Sequence, residues 1–424
     1  MTDPELLKAR RATIAARLLG AAGFWGLFAI LCAFTLLTWD GGEIAPLLLS
    51  GFTFLLAAAF FSFPPAQKIT VHLPVVSLLA MVVYGVLQTS FFPQKIVAYG
   101  WVGVLYWLTA AGITLLATQT FSKPRAPARF RQLFVWFGTG ICVLDLLEQA
   151  SKTNRYFWLF PSRYNGVYGP FAYWNNFAQF VELVLPLTLW RGIGGKRPNV
   201  PYIVCAAVQI GAVVASGSRA GTVLVVAELL AVILLAYLRN RNRLFLAGAL
   251  LTIAVCFGFV YAAGFETVIA KLQQNDQLAV RRNIDRSSVA MIRQRPLSGW
   301  GLNTYVPVYR MFALYDDGTY VNQAHNDWLE WAAGGGIPFA CGMVAILLWA
   351  MRPAIRSGWG IGLIAVCMHA LVDYPFARFG VCGWWFCLLG MLAASRRTIL
   401  APGIRSERTA LSAPYGLRAA GRRS

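Results

Sequence analysis

Long apolar runs recur along this chain, and they restrict its possible folds more than any other sequence feature. Each run is roughly 20 residues long, the length that an α-helix needs to cross a bilayer. Of the 424 residues, 58% are hydrophobic and 13% are charged, whereas about 25% of residues are charged in typical soluble proteins. The pattern predicts an all-α, polytopic integral membrane protein with about twelve transmembrane helices.

The candidate spans can be delimited by hydropathy alone. They are residues 18–38, 44–63, 73–92, 98–118, 131–150, 171–190, 200–216, 220–238, 244–263, 328–350, 357–375 and 380–395. The sixth span has a polar face formed by Asn175, Asn176, Gln179 and Glu182. We expect that face to contact protein or water rather than lipid.

The basic residues predict the orientation of these spans. With both termini inside, 24 of the 37 lysines and arginines lie on the inner side, and 6 lie outside when the long loop 264–327 is left aside. Short cytoplasmic loops are enriched in basic residues. We therefore expect an inner-membrane protein with cytoplasmic termini and a periplasmic loop 264–327.

The net charge of +20 does not indicate nucleic acid, because most basic residues flank the apolar runs. There they set orientation and contact anionic membrane lipids. Residues 1–400 are predicted to form a single membrane domain, with loop 264–327 inserted between the ninth and tenth spans. Residues 401–424 are basic and poor in large apolar residues, so a disordered cytoplasmic tail is expected.

Loop 264–327 is too long for a simple connection between spans, and its seven aromatic residues argue for a functional rather than a disordered segment. A helix-like stretch, 278–294, precedes the turn Pro296-Leu-Ser-Gly-Trp-Gly301. We therefore expect a large, partly helical loop.

Four motifs are rich in glycine, arginine, histidine or aromatic residues. They are Gly169-Pro-Phe-Ala-Tyr-Trp-Asn-Asn-Phe-Ala178, the hairpin Ser216-Gly-Ser-Arg-Ala-Gly221, Arg281…Arg286…Arg295-Pro-Leu-Ser-Gly-Trp-Gly301, and Ala324-His-Asn-Asp-Trp-Leu-Glu330. Together they resemble the O-antigen ligase and O-antigen polymerase superfamily of bacterial envelope glycosyltransferases, in the family's order and with its spacings. The resemblance covers roughly residues 165–380. One departure is Asp285, where many members carry an aromatic residue.

The resemblance implies transfer of a glycan from undecaprenyl diphosphate to an acceptor hydroxyl. The acceptor would be lipid A–core, a second lipid-linked glycan or a protein. A diphosphate already leaves readily, so charge stabilisation by arginine and a base for the hydroxyl are the main requirements. No clustered-carboxylate metal site is visible, so we expect a metal-independent reaction without a cofactor, and direct attack would invert the anomeric carbon.

The candidate site residues follow from these requirements. Arg219, Arg281 and Arg286 are candidate diphosphate ligands, although Arg286 could equally belong to a solvated helix face. His325 is the candidate base, because histidine is the usual proton acceptor near neutral pH; Asn326 or Asp327 is expected to orient it. Further candidate substrate contacts are Asn176, Trp300 and Trp328. For the two tryptophans, a place in the interfacial aromatic belt is the alternative.

Two other polar positions lie inside predicted spans. His369 and Asp373 are one turn apart, so we expect a structural hydrogen-bonded pair rather than a proton relay. A transporter or flippase of lipid-linked sugars is the alternative function. Its arginines would line a cavity within the spans, whereas the arginines chosen here lie in outer segments.

Overall fold

The computed structural model describes residues 4–42, 44–62, 71–92, 96–122, 126–164, 166–195, 197–240, 248–258, 261, 277–314 and 321–395. The predicted tail, 401–424, and the flanks of the ninth span lie outside the described residues. Within the described part there are fourteen α-helices, numbered here in chain order. They are α1 (Pro4–Leu36), α2 (Ile44–Ser62), α3 (Leu73–Phe91), α4 (Val97–Thr120), α5 (Ala126–Ser151), α6 (Trp174–Ile193), α7 (Val200–Ser216), α8 (Arg219–Asn240), α9 (Gly248–Gly258), α10 (Gln277–Gln294), α11 (Tyr305–Tyr309), α12 (Asp327–Ser357), α13 (Ile361–His369) and α14 (Phe379–Ser395).

The remaining regular structure is short. Residues Thr38–Asp40 and Pro375–Ala377 form 3₁₀ turns, and Arg155–Tyr156 pairs antiparallel with Phe160–Pro161. Apart from this small hairpin the fold is helical, so the predicted all-α class is confirmed.

Several helices have the length and composition of membrane spans. Among the described residues, seven segments are long and apolar enough to cross a bilayer, and three shorter helices, α7, α9 and α14, are also apolar. A polytopic membrane protein is therefore confirmed, while the count of twelve spans stays a prediction. The seven segments are Leu18–Asp40, Ile44–Ser62, Leu73–Phe91, Val97–Thr120, Ala126–Ser151, Arg219–Arg239 and Asp327–Ser357.

The burial of the helices separates the centre of the bundle from its lipid-facing surface. Nearly every residue of α6 and α14 is buried, as expected for helices surrounded by other helices. By contrast, α8 exposes an apolar stripe at helical spacing, formed by Val223, Val226, Leu230, Leu234 and Leu238. Such a stripe suits contact with lipid. The polar face of α6 is buried, which confirms its predicted orientation.

The glycine-rich turn at 296–301 joins the described part of the predicted outer loop to α12. Trp300 N donates to Ala333 O at 3.0 Å, and Gly301 N donates to Gly334 O at 2.8 Å. At Gly299 the backbone has φ +60°, and a Cβ there would collide with the carbonyl oxygen of Gly334. The motif is thus a docking element, since only glycine allows this close approach.

On the membrane side of this junction α12 is kinked at Gly336, where φ is +77° and ψ is 170°. The outer loop also has a small core of its own, in which Ile284 and Met291 of α10 pack with Trp300, Tyr305 and Tyr309. The fold therefore holds α10, and with it Arg281, against the membrane helices.

One predicted span needs correction. The helix expected over 357–375 begins at Ile361 and ends at His369, and residues 370–374 form a turn. Gly358, with φ +71°, ends α12. Pro375 lacks an N–H and disfavours helix at the residue before it. This break leaves Asp373 in a turn between α13 and α14.

Candidate functional site

A cluster of polar side chains gathers around the buried carboxylate of Asp373. The side chain of Asp373 is 0% exposed, and its Oδ1 accepts from Tyr374 N at 2.9 Å. Asn175 Nδ2 donates to Oδ2, and Nη2 of Arg281 lies 3.8 Å from the same oxygen. A carboxylate among such donors is held in its ionised form. We call this group, with Tyr173, Ser218 and His325, the Asp373 cluster.

His325 reaches the cluster from the chain segment that enters α12. Its Nδ1 lies 3.6 Å from Asp373 Oδ1, and 24% of the side chain is exposed. The backbone of His325 has φ +51°, a left-handed conformation that is uncommon for residues other than glycine. This turn aims the imidazole at Asp373, and at 3.6 Å the contact is an ion-pair distance rather than a hydrogen bond.

Asn326 and Asp327 do not orient His325, contrary to the expectation. Asn326 caps α12, with its Oδ1 accepting from Leu329 N at 3.2 Å, and Asp327 Oδ2 accepts from Phe376 N at 2.9 Å. Both side chains are used by backbone donors of helix ends and turns. The carboxylate that faces His325 is that of Asp373, 48 positions further along the chain.

Arg281 enters the cluster from α10. Its Nη1 donates to Val372 O at 2.9 Å, and its Nη2 donates to Tyr173 Oη at 3.3 Å. With 26% of its side chain exposed, Arg281 links the outer helix to the turn before α14. The next turn of α10 carries Asp285, whose pKa is raised by burial, while nearby Arg281 and His325 act in the opposite direction. Helix α10 therefore contributes both a cation, Arg281, and a carboxyl group, Asp285, beside the Asp373 cluster.

The hairpin between α7 and α8 reaches the same cluster through two hydrogen bonds. Ser218 Oγ donates to Asn175 Oδ1 at 2.6 Å, and the amide of Asn175 in turn donates to Asp373. Gly221 allows α8 to approach α6 closely, because a Cβ there would collide with Ala178. Arg219, half-buried, follows Ser218 directly, which places it at the edge of the Asp373 cluster.

Arg286 and Asn176 lie elsewhere. Arg286 is exposed on a stripe of α10 with Arg282 and Arg293, beside a pocket that Asp285 also lines. Asn176 is buried and donates to Gln179 Oε1 at 2.9 Å within α6. The neighbouring Asn175, rather than Asn176, contacts Asp373.

The two tryptophans chosen from the sequence serve in packing. Trp300 is 7% exposed, and its Nε1 donates to Met291 O at 3.0 Å, while Arg295 lies over its ring at 4.1 Å. Trp328 Nε1 donates to Cys367 O at 3.0 Å and joins α12 to α13. The described contacts of both rings are thus with other parts of the protein, a packing role that the sequence did not indicate.

The predicted His369–Asp373 pair is wrong, because the partner of His369 is Glu182. His369 Nδ1 lies 2.7 Å from Glu182 Oε1 on α6, and both side chains are 0% exposed. Because α13 ends at His369, Asp373 no longer lies one helical turn away on the same helix face. Polar groups inside a bundle need partners, and His369 finds its partner on a neighbouring helix.

A cavity lies beside the start of α12. We call it the outer cavity, because the predicted orientation puts it on the outer side of the membrane. It measures about 200 Å³ and is lined by Asp327, Glu330, Asn303, Arg378 and Trp331, among others. Asp327 N donates to Ala370 O at 2.9 Å and to Asp373 O at 3.3 Å. The backbone of Asp327 therefore joins the wall of the outer cavity to the turn that carries Asp373.

Sequence reasoning missed Asp373, Asn175 and Tyr173 as members of the site. The usable signal was Pro375, which ends the helix and frees Asp373 to face the outer loop. For Asn175 the signal was its position in the first turn of α6, on the polar face of that helix. Among the described residues, no group of three or more His, Cys, Asp or Glu side chains is arranged to hold a metal ion.

Residues 204–346 match the sequence model of a family described as O-antigen ligase. The matched segment contains Arg219, Arg281 and His325, while Asn175 and Asp373 lie outside it. No curated protein matches the chain. The resemblance noted in the motifs is therefore confirmed over residues 204–346, a segment that is similar to the O-antigen ligase family, in a chain that has the apolar helices of a membrane protein.

Proposed function

We propose that this protein is a glycosyltransferase of the O-antigen ligase or polymerase type. It transfers a glycan from undecaprenyl diphosphate to an acceptor hydroxyl, without a metal ion. The observation that carries the proposal is the convergence of Arg281 and His325 on the buried Asp373. A cation, a titratable base and a fixed carboxylate at one place are what this reaction requires.

In the proposed reaction His325 is the base. The acceptor oxygen attacks the anomeric carbon, the bond from that carbon to the diphosphate oxygen breaks, and the diphosphate leaves with the electron pair. The hydroxyl proton passes to His325. Because one direct displacement occurs, the configuration at the anomeric carbon inverts.

Asp373 has a positioning role in this scheme. It faces His325 Nδ1, so it favours the tautomer that carries a proton there and leaves Nε2 as the acceptor. It also stabilises the imidazolium that forms when the proton arrives. The hydrogen bond from Asn175 and the contact with Arg281 hold the carboxylate in place.

Arg281 and Arg219 are the proposed ligands of the departing diphosphate. Arginine is charged at all physiological pH values, and its planar fork matches two phosphate oxygens at once. The partly exposed side chain of Arg281 leaves donors for a ligand beside those it uses for Val372 and Tyr173. Arg286, on the exposed stripe of α10, is proposed as an outer contact for the same charged group.

The outer cavity is proposed to admit sugar units next to the diphosphate. It combines aromatic rings such as Trp331 with polar groups of Asn303 and Glu330, a mixture that suits carbohydrate faces and hydroxyls. A flippase remains the alternative function, although Arg281 of the Asp373 cluster and the neighbouring Arg219 lie at one end of the bundle.

Deletion of the gene tests the proposed function in cells and identifies the acceptor. Loss of attached glycan with accumulated lipid-linked polymer means a ligase, and single repeat units on the core mean a polymerase. An unmodified protein with unchanged surface glycans means a protein oligosaccharyltransferase. If purified protein in nanodiscs catalyses no transfer but moves the lipid-linked glycan across the membrane, the flippase replaces this proposal.

The orientation is a separate proposal, with the termini in the cytoplasm and the Asp373 cluster at the periplasmic face of the inner membrane. A cysteine at Asp40, in a variant without native cysteines, should react with an impermeant maleimide in spheroplasts. Protection of this cysteine until the cells are opened would reverse the orientation.

A further inference from the structure

Four arginines converge at the end of the bundle that lies opposite the Asp373 cluster. Arg131 stands in the first turns of α5, Arg191 and Arg239 stand in the last turns of α6 and α8, and Arg356 stands in the last turn of α12. Together they line a cavity of about 450 Å³. Since α8 begins at Arg219, the rise of its helix places Arg239 about 30 Å from the Asp373 cluster.

Aromatic rings and backbone groups hold these arginines around the cavity. Arg131 lies over the ring of Trp359 at 4.6 Å, and Arg239 lies over the ring of Trp190 at 5.6 Å. Arg191 Nη2 donates to Ala128 O at 2.7 Å. These contacts therefore preorganise three of the four guanidinium groups.

Gly358 shapes the wall of the cavity next to Trp190. Its φ is +71°, and a Cβ on this residue would collide with the ring of Trp190. The chain reverses here and brings Trp359 under Arg131. The cavity is thus built by a specific turn and is not a chance gap between side chains.

Among the residues that the structure describes, no acidic group lines this cavity. The described lining consists of Leu187 and Ser357 besides the arginines and tryptophans. None of the ion pairs in the described part of the chain involves these four arginines. Like charges gathered around one cavity repel, so a bound anion would relieve the repulsion.

We propose that this cavity binds the phosphate-bearing headgroup of an anionic phospholipid, at the membrane surface opposite the transfer site. Its position supports a lipid rather than a soluble ligand, because the cavity lies among the ends of membrane helices and beside tryptophans typical of the interface. Basic pockets between helix ends bind such headgroups. Free phosphate offers the same chemistry, and the experiment below separates the two sources.

The test compares two double variants by native mass spectrometry. The site variant is Arg239→Gln with Arg356→Gln; both side chains are exposed, so the fold should tolerate their loss. The matched control is Arg129→Gln with Arg352→Gln, which removes two exposed arginines from the same end of the bundle outside the cavity. Each protein, in phosphatidylcholine nanodiscs, is titrated with cardiolipin, an anionic lipid with two phosphates.

We expect cardiolipin adducts on the wild-type protein and on the control, and about ten-fold weaker binding by the site variant, since two basic residues act at short range. Equal binding by both double variants would mean general surface attraction and would overturn the proposal. Inorganic phosphate is added in a second titration. Displacement of the lipid by phosphate at comparable concentration would assign the site to a soluble anion instead, and persistence of the adducts supports the lipid.

Discussion

Two histidine–carboxylate pairs lie in the described part of this molecule, and they differ in separation and in exposure. In the membrane core, His369 and Glu182 are 2.7 Å apart and fully buried. At the end of the bundle, His325 and Asp373 are 3.6 Å apart, and the imidazole is partly exposed. The first pair is a closed contact between α6 and α13, whereas the second pair leaves its histidine accessible.

The difference separates a group that holds helices together from a group that is free to react. Glu182 Oε1 and His369 Nδ1 are partners in a buried contact, whereas Glu182 Oε2 and His369 Nε2 have no hydrogen-bond partner among the described residues. Breaking the contact would therefore leave further unpartnered buried atoms. His325 lies in a turn beside Asp373, and 24% of its side chain is exposed. A base must reach the proton that it accepts, and of these two histidines only His325 has an exposed part.

The largest expected effect follows from removing the accessible imidazole. We expect His325→Ala to lower the transfer rate roughly 10²–10⁴-fold, the usual contribution of a general base. Binding of the lipid-linked donor should change little, because the arginines supply it. The rate is measured with purified protein in nanodiscs, and the amount of folded protein is set by size-exclusion chromatography.

The pH dependence of the same two proteins tests whether His325 is the base. The wild-type rate should fall as the medium is acidified, since a protonated imidazole cannot accept a proton, and His325→Ala should lose this limb. A variant with wild-type turnover and an unchanged profile would exclude His325 as the base.

Arg281 comes next in expected size. Arg281→Ala should lower the rate roughly 10²–10³-fold, as found when one donor to a developing negative charge is removed. Arg281→Lys should recover only part of the loss, because lysine keeps the charge but not the planar fork. Arg293→Ala, an exposed arginine on the same helix, is the matched control and should keep full activity. Equal rates for the Arg281 and Arg293 alanine variants would remove Arg281 from the site.

The carboxylate of the accessible pair should matter less than either of these. Asp373→Asn keeps the size of the side chain but removes the charge that orients His325, and a misplaced reacting group costs about 10²-fold in rate. The readout that separates positioning from folding is the acid limb of the pH profile, which should move in Asp373→Asn. If the rate falls while the limb stays in place, Asp373 acts on the fold and not on His325.

Much of this comparison could be predicted from the sequence, but its decisive contacts could not. Hydropathy delimited the helices, and short motifs identified Arg281 and His325, because apolar length and residue type are local properties. The partners of both histidines are not local. Asp373 lies 48 positions from His325, and Glu182 lies on a helix that hydropathy alone cannot place beside α13.

The incorrect pairing of Asp373 with His369 shows how one proline changes a tertiary contact. Asp373 lies four residues after His369, so the sequence predicted that both lie on one face of the same helix, but Pro375 ends the helix before that face is completed. The carboxylate then belongs to a turn and reaches His325 and Arg281. Trp300 and Trp328 are the converse case. The sequence could not separate sugar contact from a place in the interfacial belt, and the structure instead uses both indole N–H groups in hydrogen bonds to backbone carbonyls.

The smallest expected effect concerns the buried pair, Glu182 and His369. Glu182→Gln matches Asp373→Asn in chemistry, because an amide oxygen replaces a carboxylate oxygen beside a histidine. The amide oxygen can accept from Nδ1–H of His369, so one hydrogen bond is kept and the bundle no longer contains that buried charge. We expect the free energy of unfolding to change by no more than about 1.5 kcal/mol, the size of one hydrogen bond, and turnover per folded molecule to stay at the wild-type value. Thermal unfolding followed by tryptophan fluorescence and the transfer assay measure the two quantities on the same sample. If Glu182→Gln instead slows transfer as much as Asp373→Asn while the protein remains folded, the buried pair takes part in function, and the distinction drawn here between a structural and a reactive histidine is wrong.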